Sequence, residues 1–121
     1  MDDCQTFINA YIECLLWSSE PDSSDEEAAW PDDATLSDEA RDRCEAECKA
    51  FLYRFRPFIE AEPTDPGLSQ AGHDFALTRN GHGAGFWDGD WPTYGEMLTK
   101  GSKSFGEVYL YVGEDGQLEI G

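Results

Sequence analysis

Hydrophobic residues recur at steps of three and four over residues 4–17, which is the spacing that places side chains on one face of a helix. The members of this face are Cys4, Ile8, Tyr11, Ile12, Leu15 and Leu16. A second run with the same period lies between residues 35 and 59, and its apolar members are Ala40, Cys44, Cys48, Phe51, Leu52, Phe55, Phe58 and Ile59. The pattern therefore predicts two amphipathic helices in the N-terminal half of the chain.

Capping and helix-breaking residues mark the ends of the second predicted helix. Residues 35–38 read Thr-Leu-Ser-Asp, which has the spacing of a capping box, and Ser37 offers an alternative start. Pro57 has no amide hydrogen and crowds the carbonyl four residues earlier, so we expect it to kink or end the helix. Residues 61–72 contain two prolines and two glycines and are predicted to form a linker.

The pattern changes to alternation in the C-terminal half. Phe75 and Leu77 alternate with smaller or polar neighbours, and residues 85–87 resume an extended pattern. Between them, Asn80-Gly81 is the pair most typical of a two-residue hairpin turn. These features predict a β-hairpin directly after the linker.

A short helix and two further strands follow in the prediction. The helix is expected to begin at Trp91-Pro92, because proline is tolerated at the first helical position, and to weaken at Gly101. Alternating residues predict one strand over residues 108–112 and its partner over residues 117–120, with a turn between them.

The predicted fold class is α+β, with two N-terminal helices followed by a small antiparallel sheet and one further helix in the order ααββαββ. A chain of 121 residues has the length of one domain. The expected parts of this single domain, residues 1–121, are an acidic helical part (1–60), the linker (61–72) and a ββαββ part (73–121).

The chain contains 26 acids and 8 bases, which give a formal net charge of −18 and a pI near 4.1. Residues 1–48 hold 15 acids and 2 bases, whereas residues 49–121 hold 11 acids and 6 bases. Residues 18–34 hold seven acids and no base, which predicts an exposed acidic loop. A surface this negative repels phosphates, which argues against direct binding to nucleic acid or to an anionic membrane.

A protein that mimics DNA must present a density of negative charge similar to that of the duplex. A folded chain of this mass exposes roughly 6,500 Å², or about 360 Å² for each net charge, against about 110 Å² for duplex DNA. An even spread is therefore about three times too dilute, whereas concentration on about a third of the surface would match the duplex. The alternative interpretation is that the carboxylates serve only solubility.

The N-terminus reads Met-Asp-Asp and lacks the cationic and apolar regions of a signal peptide, and no stretch is apolar enough to span a bilayer. We therefore expect a cytoplasmic protein. In that reducing compartment the cysteines are predicted to be free thiols rather than two disulfides. These cysteines are Cys4, Cys14, Cys44 and Cys48.

Both histidines lie in the glycine-rich segment 72–90. One interpretation is a zinc or manganese site, at a spacing that is not diagnostic, with the ligands His73, Asp74, His82 and Asp88. The other is that the glycines permit tight turns and the polar residues cap a strand. No nucleophile, base and orienting group converge in the sequence, so neither an enzymatic activity nor a cofactor is predicted.

Alternation in the strand at residues 108–112 places two tyrosines on the same side. Tyr109 and Tyr111 should lie on the face opposite Val108, Leu110 and Val112. If the N-terminal helices leave that face open, the tyrosines are anchors for a partner, and the protein could then be an assembly or adaptor domain.

The run GHDF-x-LTRNGHGAGFWD at residues 72–88 resembles a signature of small uncharacterised proteins of phages, prophages and other mobile elements. Residues 11–17 and 110–116 are similar to the same set. The chain departs from the pattern at Ala76, where a larger aromatic residue is expected, and at Gly89, where arginine is expected. The resemblance implies a mobile-element origin and, by analogy with small acidic proteins of such elements, inhibition of a CRISPR or restriction system.

These features together predict a non-enzymatic acidic phage protein that inhibits a nucleic-acid-binding host defence complex by presenting a face that mimics DNA. Its partner would offer lysine and arginine side chains. The predicted contact residues are Glu20, Asp22, Asp25, Glu26, Glu27, Asp32, Asp33, Asp38, Asp42, Glu45, Tyr109 and Tyr111. The alternative function is a small metal-binding protein or metal-dependent enzyme centred on the segment from His73 to Asp88.

Overall fold

A computed structural model describes residues 3–19, 30, 34–81, 85–87 and 89–120. Its elements are the helices α1 (Asp3–Ser19), α2 (Asp38–Ala61), α3 (Gly67–Arg79) and α4 (Gly95–Lys103), then the strands β1 (Leu110–Val112) and β2 (Leu118–Ile120). The described part of the chain is therefore rich in helix, with one two-stranded antiparallel sheet. The predicted order ααββαββ is wrong, although the fold remains broadly α+β.

An aromatic cluster joins the first three helices. The rings of Phe7, Phe51 and Phe75 lie with their centroids 4.3 to 5.9 Å apart, within the range that aromatic pairs favour. Phe51 belongs to the apolar face predicted for the second helix, whereas Phe7 is not among the residues predicted for the face of the first. Both rings are fully buried. The aromatic cluster therefore forms the centre of the core, and α3 is its third wall.

Ser37 caps α2, because its hydroxyl accepts a hydrogen bond from the backbone N–H of Ala40 at 3.1 Å. The alternative start at Ser37 is thus confirmed. Pro57 does not end the helix, which continues to Ala61, so a helix end at this residue is wrong. Pro57 and Tyr53, whose carbonyl the proline leaves unpaired, are both exposed, so water can satisfy that carbonyl.

The predicted hairpin around Asn80-Gly81 is wrong, because the residues before it form α3. Most of this helix is buried on all sides, so the sequence has no exposed polar face that would reveal the helical period. Its buried residues are Ala71, Gly72, Asp74, Phe75, Ala76, Leu77, Thr78 and Arg79. Gly81 ends the helix with a φ of 72° and donates its N–H to the Thr78 carbonyl at 3.2 Å. The second half of the predicted linker, residues 61–72, belongs to the same helix.

Two glycines permit close packing between helices. A side chain at Gly72 would collide with the backbone carbonyl oxygen of Phe7, so glycine brings α3 into backbone contact with α1. A side chain at Gly101 would collide with the ring of Phe55 on α2. The helix α4 continues past Gly101 to Lys103, and the contact with Phe55 is the packing reason for glycine at this position.

The start of α4 depends on a distant carboxylate. The predicted start at Trp91 is early, because a turn precedes the helix, which begins at Gly95. The buried Glu62 accepts hydrogen bonds from the backbone N–H groups of Thr93 and Tyr94 in that turn, each at 2.9 Å. Burial raises the pKa of Glu62, but the hydrogen bonds from Tyr94 and Thr93 outweigh it and leave the pKa below its ordinary value.

The C-terminal hairpin is confirmed, with Tyr111 opposite Glu119 across the two strands. The other edge of β2 pairs with the segment that leads into α2. Ser37 donates its N–H to the Leu118 carbonyl at 2.9 Å, and Leu118 donates its own N–H to the Thr35 carbonyl at 2.8 Å. The sheet and the beginning of α2 are therefore held together through the backbone.

Candidate functional site

Three of the predicted contact residues, Asp38, Asp42 and Glu45, fall on one face of α2, since they are four and three positions apart. Asp38 and Asp42 are exposed, and Glu45 is half-buried. None of them forms an ion pair with a residue that the structure describes. These three carboxylates are therefore not held in ion pairs, although Arg41 lies three residues after Asp38 and Lys49 lies four residues after Glu45 on the same helix.

Several acids elsewhere on the helices are paired with bases. Arg56 contacts both Asp3 and Glu60 at 2.7 Å. Glu47 accepts from Arg43 at 3.2 Å and from a buried arginine of α3 at 2.9 Å. Asp38, Asp42 and Glu45 differ from these acids because they form no ion pair with a described residue.

The two predicted tyrosine anchors lie together on the surface. Tyr109 is 66% exposed and Tyr111 is 47% exposed, with their ring centroids 6.3 Å apart. Val108 and Leu110 are buried on the opposite side, as the alternation predicts, whereas Val112 is exposed because the sheet ends there. Exposed, adjacent aromatic rings are the residue type that most often anchors a protein interface.

The hairpin register and one hydrogen bond place the tyrosine strand close to the start of α2, although the sequence separates Asp38 from Tyr109 by more than seventy residues. Asp42 and Glu45 follow one and two turns further along α2. Directly opposed residues of an antiparallel pair project to the same face, so the side chain of Glu119 accompanies that of Tyr111. Glu119 in turn accepts a hydrogen bond from the hydroxyl of Ser37 at 2.8 Å, next to the first helical residue, Asp38. We name the resulting region the acidic-aromatic surface, and its members are Asp38, Asp42, Glu45, Tyr109, Tyr111 and Glu119.

Sequence reasoning missed Glu119 as a member of this surface. Its position opposite Tyr111 follows from the hairpin register, which the sequence could have supplied. Its bond to Ser37 could not be foreseen, because it depends on the packing of the hairpin against α2. Seven predicted contacts lie outside the described residues, and they are Glu20, Asp22, Asp25, Glu26, Glu27, Asp32 and Asp33.

The signature segment supplies a buried arginine that links four parts of the chain. The guanidinium of Arg79 donates to the hydroxyl of Tyr11 at 3.0 Å and to Glu47 at 2.9 Å. It also donates to the carbonyls of Phe105 at 3.0 Å and Gly106 at 2.8 Å. Burial alone would lower the pKa of Arg79, but Glu47 and Tyr11 keep it above its ordinary value. We name these five residues the Arg79 hub.

Asp74 of the signature is also buried and bonded. One carboxylate oxygen accepts from the side chain of Gln70 at 3.0 Å, and the other accepts from the indole of Trp91 at 2.8 Å. Burial raises the pKa of Asp74, and these two hydrogen bonds oppose the shift without cancelling it. The carboxylate therefore positions the segment before α4 against α3.

The end of the signature helix is tied to the following segments in the same manner. The hydroxyl of Thr78 accepts from the backbone N–H of Phe86 at 3.0 Å, and a side chain at Gly85 would collide with that hydroxyl. The side chain of Asn80 accepts from the backbone N–H of Val108 at 2.9 Å. The polar residues of the signature that the structure describes between Asp74 and Asn80 thus hold the fold together.

The candidate metal ligands receive no support from the described part of the chain. His73 and Asp74 are neighbours on α3, with His73 Nδ1 and a carboxylate oxygen of Asp74 3.9 Å apart, and both oxygens of Asp74 already accept hydrogen bonds. His82 and Asp88 lie outside the described residues. Among the described residues, no three histidine, cysteine or acidic side chains are placed to hold a metal ion.

Three of the cysteines are free thiols within the core. Burial, aided by nearby negative charge, raises the pKa of Cys14 and of Cys44 to about 11 and also raises that of Cys48. A thiol with a raised pKa is a poor nucleophile at neutral pH. These side chains therefore act as small apolar residues.

A cleft of about 450 Å³ between α1 and α3 was not predicted. Trp17 lines it and is 70% exposed. The signal that could have revealed it is a tryptophan outside the apolar face of the first helix. The other residues that define its two walls are Glu13 and Cys14 of α1 and Ser69, Gln70 and His73 of α3.

Two wider observations concern the chain as a whole. Within the residues that the structure describes, no helix combines the length and the apolar character that crossing a bilayer requires. Comparison with family models, with curated proteins and with solved structures finds no match to this chain.

Proposed function

We propose that this protein is a non-enzymatic binding protein that engages a basic surface of a nucleic-acid-binding partner through the acidic-aromatic surface. Lysine and arginine side chains of the partner would meet Asp38, Asp42 and Glu45, and its apolar groups would pack against the tyrosines. The observation that supports the proposal is the hydrogen bond between Ser37 and Glu119, which links the strand paired with the tyrosine strand to the residue before Asp38. Such an arrangement combines a hot spot with a charged rim.

The charge of the chain supports a protein partner rather than nucleic acid itself. The net charge is −18, and 15 of the 26 acids belong to the first 48 residues. A groove that normally holds phosphates offers the complementary charge and would accelerate the encounter. The contact would then be strongest at low ionic strength, because exposed charges are screened by salt.

The resemblance of the signature to mobile-element proteins supports a particular setting for this contact. In the proposal, the protein acts in the cytoplasm of the host cell and occupies the nucleic-acid groove of a defence complex of the CRISPR or restriction type. This setting is an analogy, whereas the physical claim is the match between an acidic face and a basic groove.

The test is a capture experiment with immobilised protein and nuclease-treated host lysate at low and at high salt, followed by mass spectrometry. We expect captured proteins that bind DNA or RNA and that are lost at high salt. Each captured protein is then purified, and its nucleic-acid binding is measured with and without the acidic protein. Loss of that binding supports the proposed function.

A charge-matched pair of variants makes the test specific. The surface variant carries Asp38→Asn, Asp42→Asn and Glu45→Gln, and we expect it to slow association more than it speeds dissociation. The control variant removes the same charge from exposed acids elsewhere that form no ion pair with a described residue, through Asp65→Asn, Asp90→Asn and Glu114→Gln. Equal loss of binding in both variants, or a complex that does not respond to salt, would show that the proposed contact is wrong.

A further inference from the structure

The cleft between α1 and α3 brings together two groups that bind cations. Trp17 lines the cleft with a largely exposed indole. Glu13, one helical turn earlier, lines the same cleft, is exposed and makes no ion pair with a described residue. An aromatic face and a free carboxylate at one hollow are the two elements that hold a guanidinium group in protein interfaces.

Acidic side chains lie near the cleft. Burial is the main cause that raises the pKa of the Cys14 thiol to about 11, and the carboxylates of Asp74 and Glu13 add to it. Two acids therefore lie near Cys14, which lines the cleft. Among the described residues, no lysine or arginine lines the cleft to offset this charge.

We propose that the cleft binds an arginine side chain of the partner, with the guanidinium stacked on Trp17 and paired with Glu13. This inference rests on the proposed function, because it assigns one specific contact within a basic partner. Arginine fits this pair of groups better than lysine does, since its planar guanidinium can stack on an indole and meet a carboxylate along its edge at the same time.

The position of the cleft is consistent with a single partner that reaches the tyrosines as well. The end of α1 leads from Trp17 to Ser18 and Ser19, which line a neighbouring hollow of about 220 Å³ together with Tyr109. Tyr109 therefore lies near the C-terminal end of α1, the helix that carries Trp17. A basic segment on one partner could place an arginine at Trp17 while its neighbouring residues contact the tyrosines.

The probe for the test is a capped hexa-arginine peptide, titrated into the full chain at low salt. Binding is measured by calorimetry, and the indole N–H signal of Trp17 is followed by NMR and assigned from its loss in Trp17→Ala. We expect this signal to move on binding, and Trp17→Ala and Glu13→Gln each to weaken the affinity about two- to fivefold. A capped hexa-lysine peptide should bind more weakly and move the Trp17 signal less.

Matched controls separate the cleft from general charge attraction. Trp87→Ala removes another exposed tryptophan and Glu114→Gln removes another exposed carboxylate, and both should leave the affinity within twofold of the original. If hexa-arginine binds but neither cleft variant weakens it beyond the controls, the arginine site is wrong while the proposed function stands. If hexa-lysine binds with the same affinity as hexa-arginine, the claim that the cleft prefers arginine is wrong. If neither peptide binds at low salt, the proposed function fails together with the cleft.

Discussion

Arg79 and Asp42 are both charged, yet they lie in opposite surroundings. The side chain of Arg79 has no exposed area and donates to Tyr11, Glu47 and two backbone carbonyls. Asp42 is exposed and pairs with no base in the described part of the chain. The first region is a polar centre that the fold satisfies completely, and the second is a surface whose charge is available to a partner.

The difference between the Arg79 hub and the acidic-aromatic surface teaches how a polar motif should be interpreted. A sequence rich in histidine, aspartate, arginine and glycine suggests chemistry, but Asp74, Thr78 and Arg79 of this signature use their hydrogen bonds within the fold. A buried polar group without a partner costs about 1–3 kcal/mol, so these internal hydrogen bonds matter for stability. No such requirement applies at the surface, where the residues proposed to bind a partner form no motif.

The largest expected effect comes from breaking the Arg79 hub. Arg79→Met keeps the bulk of the side chain but leaves the Glu47 carboxylate, the Tyr11 hydroxyl and two carbonyls without their donor. We expect the free energy of unfolding to fall by about 3–5 kcal/mol, as when one partner of a buried ion pair is removed. Urea unfolding followed by circular dichroism measures this change.

The matched control for this variant is Arg43→Ala, because Arg43 contacts the same carboxylate from the solvent side. An exposed pair of this kind contributes at most about 1 kcal/mol. If Arg79→Met does not fold, Arg79→Lys should give an intermediate loss, since lysine keeps the charge but not the forked donors. If Arg43→Ala and Arg79→Met have the same free energy of unfolding, the Arg79 hub is no more important for stability than an exposed ion pair, and its contrast with the acidic-aromatic surface is wrong.

The parts of the fold that the sequence predicts are those with one buried face. Amphipathic spacing identifies α1 and α2, and alternation identifies the C-terminal hairpin. The third helix escapes this reasoning because it is buried all around, so its polar residues Asp74, Thr78 and Arg79 interrupt the apolar pattern. Asn80-Gly81 suits both a hairpin turn and a helix end, because each requires a positive φ at the glycine.

The candidate site is predictable residue by residue but not as an assembled surface. Strand alternation is enough to place Tyr109 and Tyr111 outside, and helical spacing is enough to align Asp38 with Asp42. Their proximity depends on the pairing of β2 with residues 35–37, which involves an isolated parallel bridge without a local signal. The cleft at Trp17 is likewise tertiary, because one of its walls is the helix that the sequence pattern conceals.

Lowering the pH is expected to have an intermediate effect on the free energy of unfolding. It separates two buried carboxylates, Glu62 and Asp74, whose pKa values are shifted in opposite directions. The pKa of Glu62 is lowered, so its contribution to stability is present above its unfolded pKa of about 4.3 and is lost as the pH falls through its folded pKa. The pKa of Asp74 is raised, so its contribution is present below its unfolded pKa of about 3.9 and is lost as the pH rises through its folded pKa.

Two variants read out these opposite signs in urea titrations over a series of acidic pH values. As the pH falls, the stability advantage of the original protein over Glu62→Gln should shrink, and its advantage over Asp74→Asn should grow. Each variant serves as the control for the other, because both replace a buried carboxylate with an amide. Advantages that change in the same direction would contradict the assigned shifts.

Replacing the surface tyrosines is expected to have the smallest effect on stability. This change tests whether the two rings are free to contact a partner. Tyr109→Ala and Tyr111→Ala each remove an exposed ring, so the free energy of unfolding should change by no more than about 0.5 kcal/mol. In the complex with a captured partner, the same changes should raise the dissociation rate about tenfold or more, as expected for an aromatic hot spot. Surface plasmon resonance measures that rate.

Tyr53→Ala is the matched control for the tyrosine pair, since Tyr53 is 90% exposed on α2 and is not a member of the acidic-aromatic surface. It should affect neither stability nor dissociation. If all three tyrosine variants dissociate at the rate of the original protein, carboxylates alone mediate the contact. If instead the Tyr109 and Tyr111 variants lose stability as buried residues do, these rings belong to the fold, and the comparison between the satisfied interior and the available surface must be redrawn.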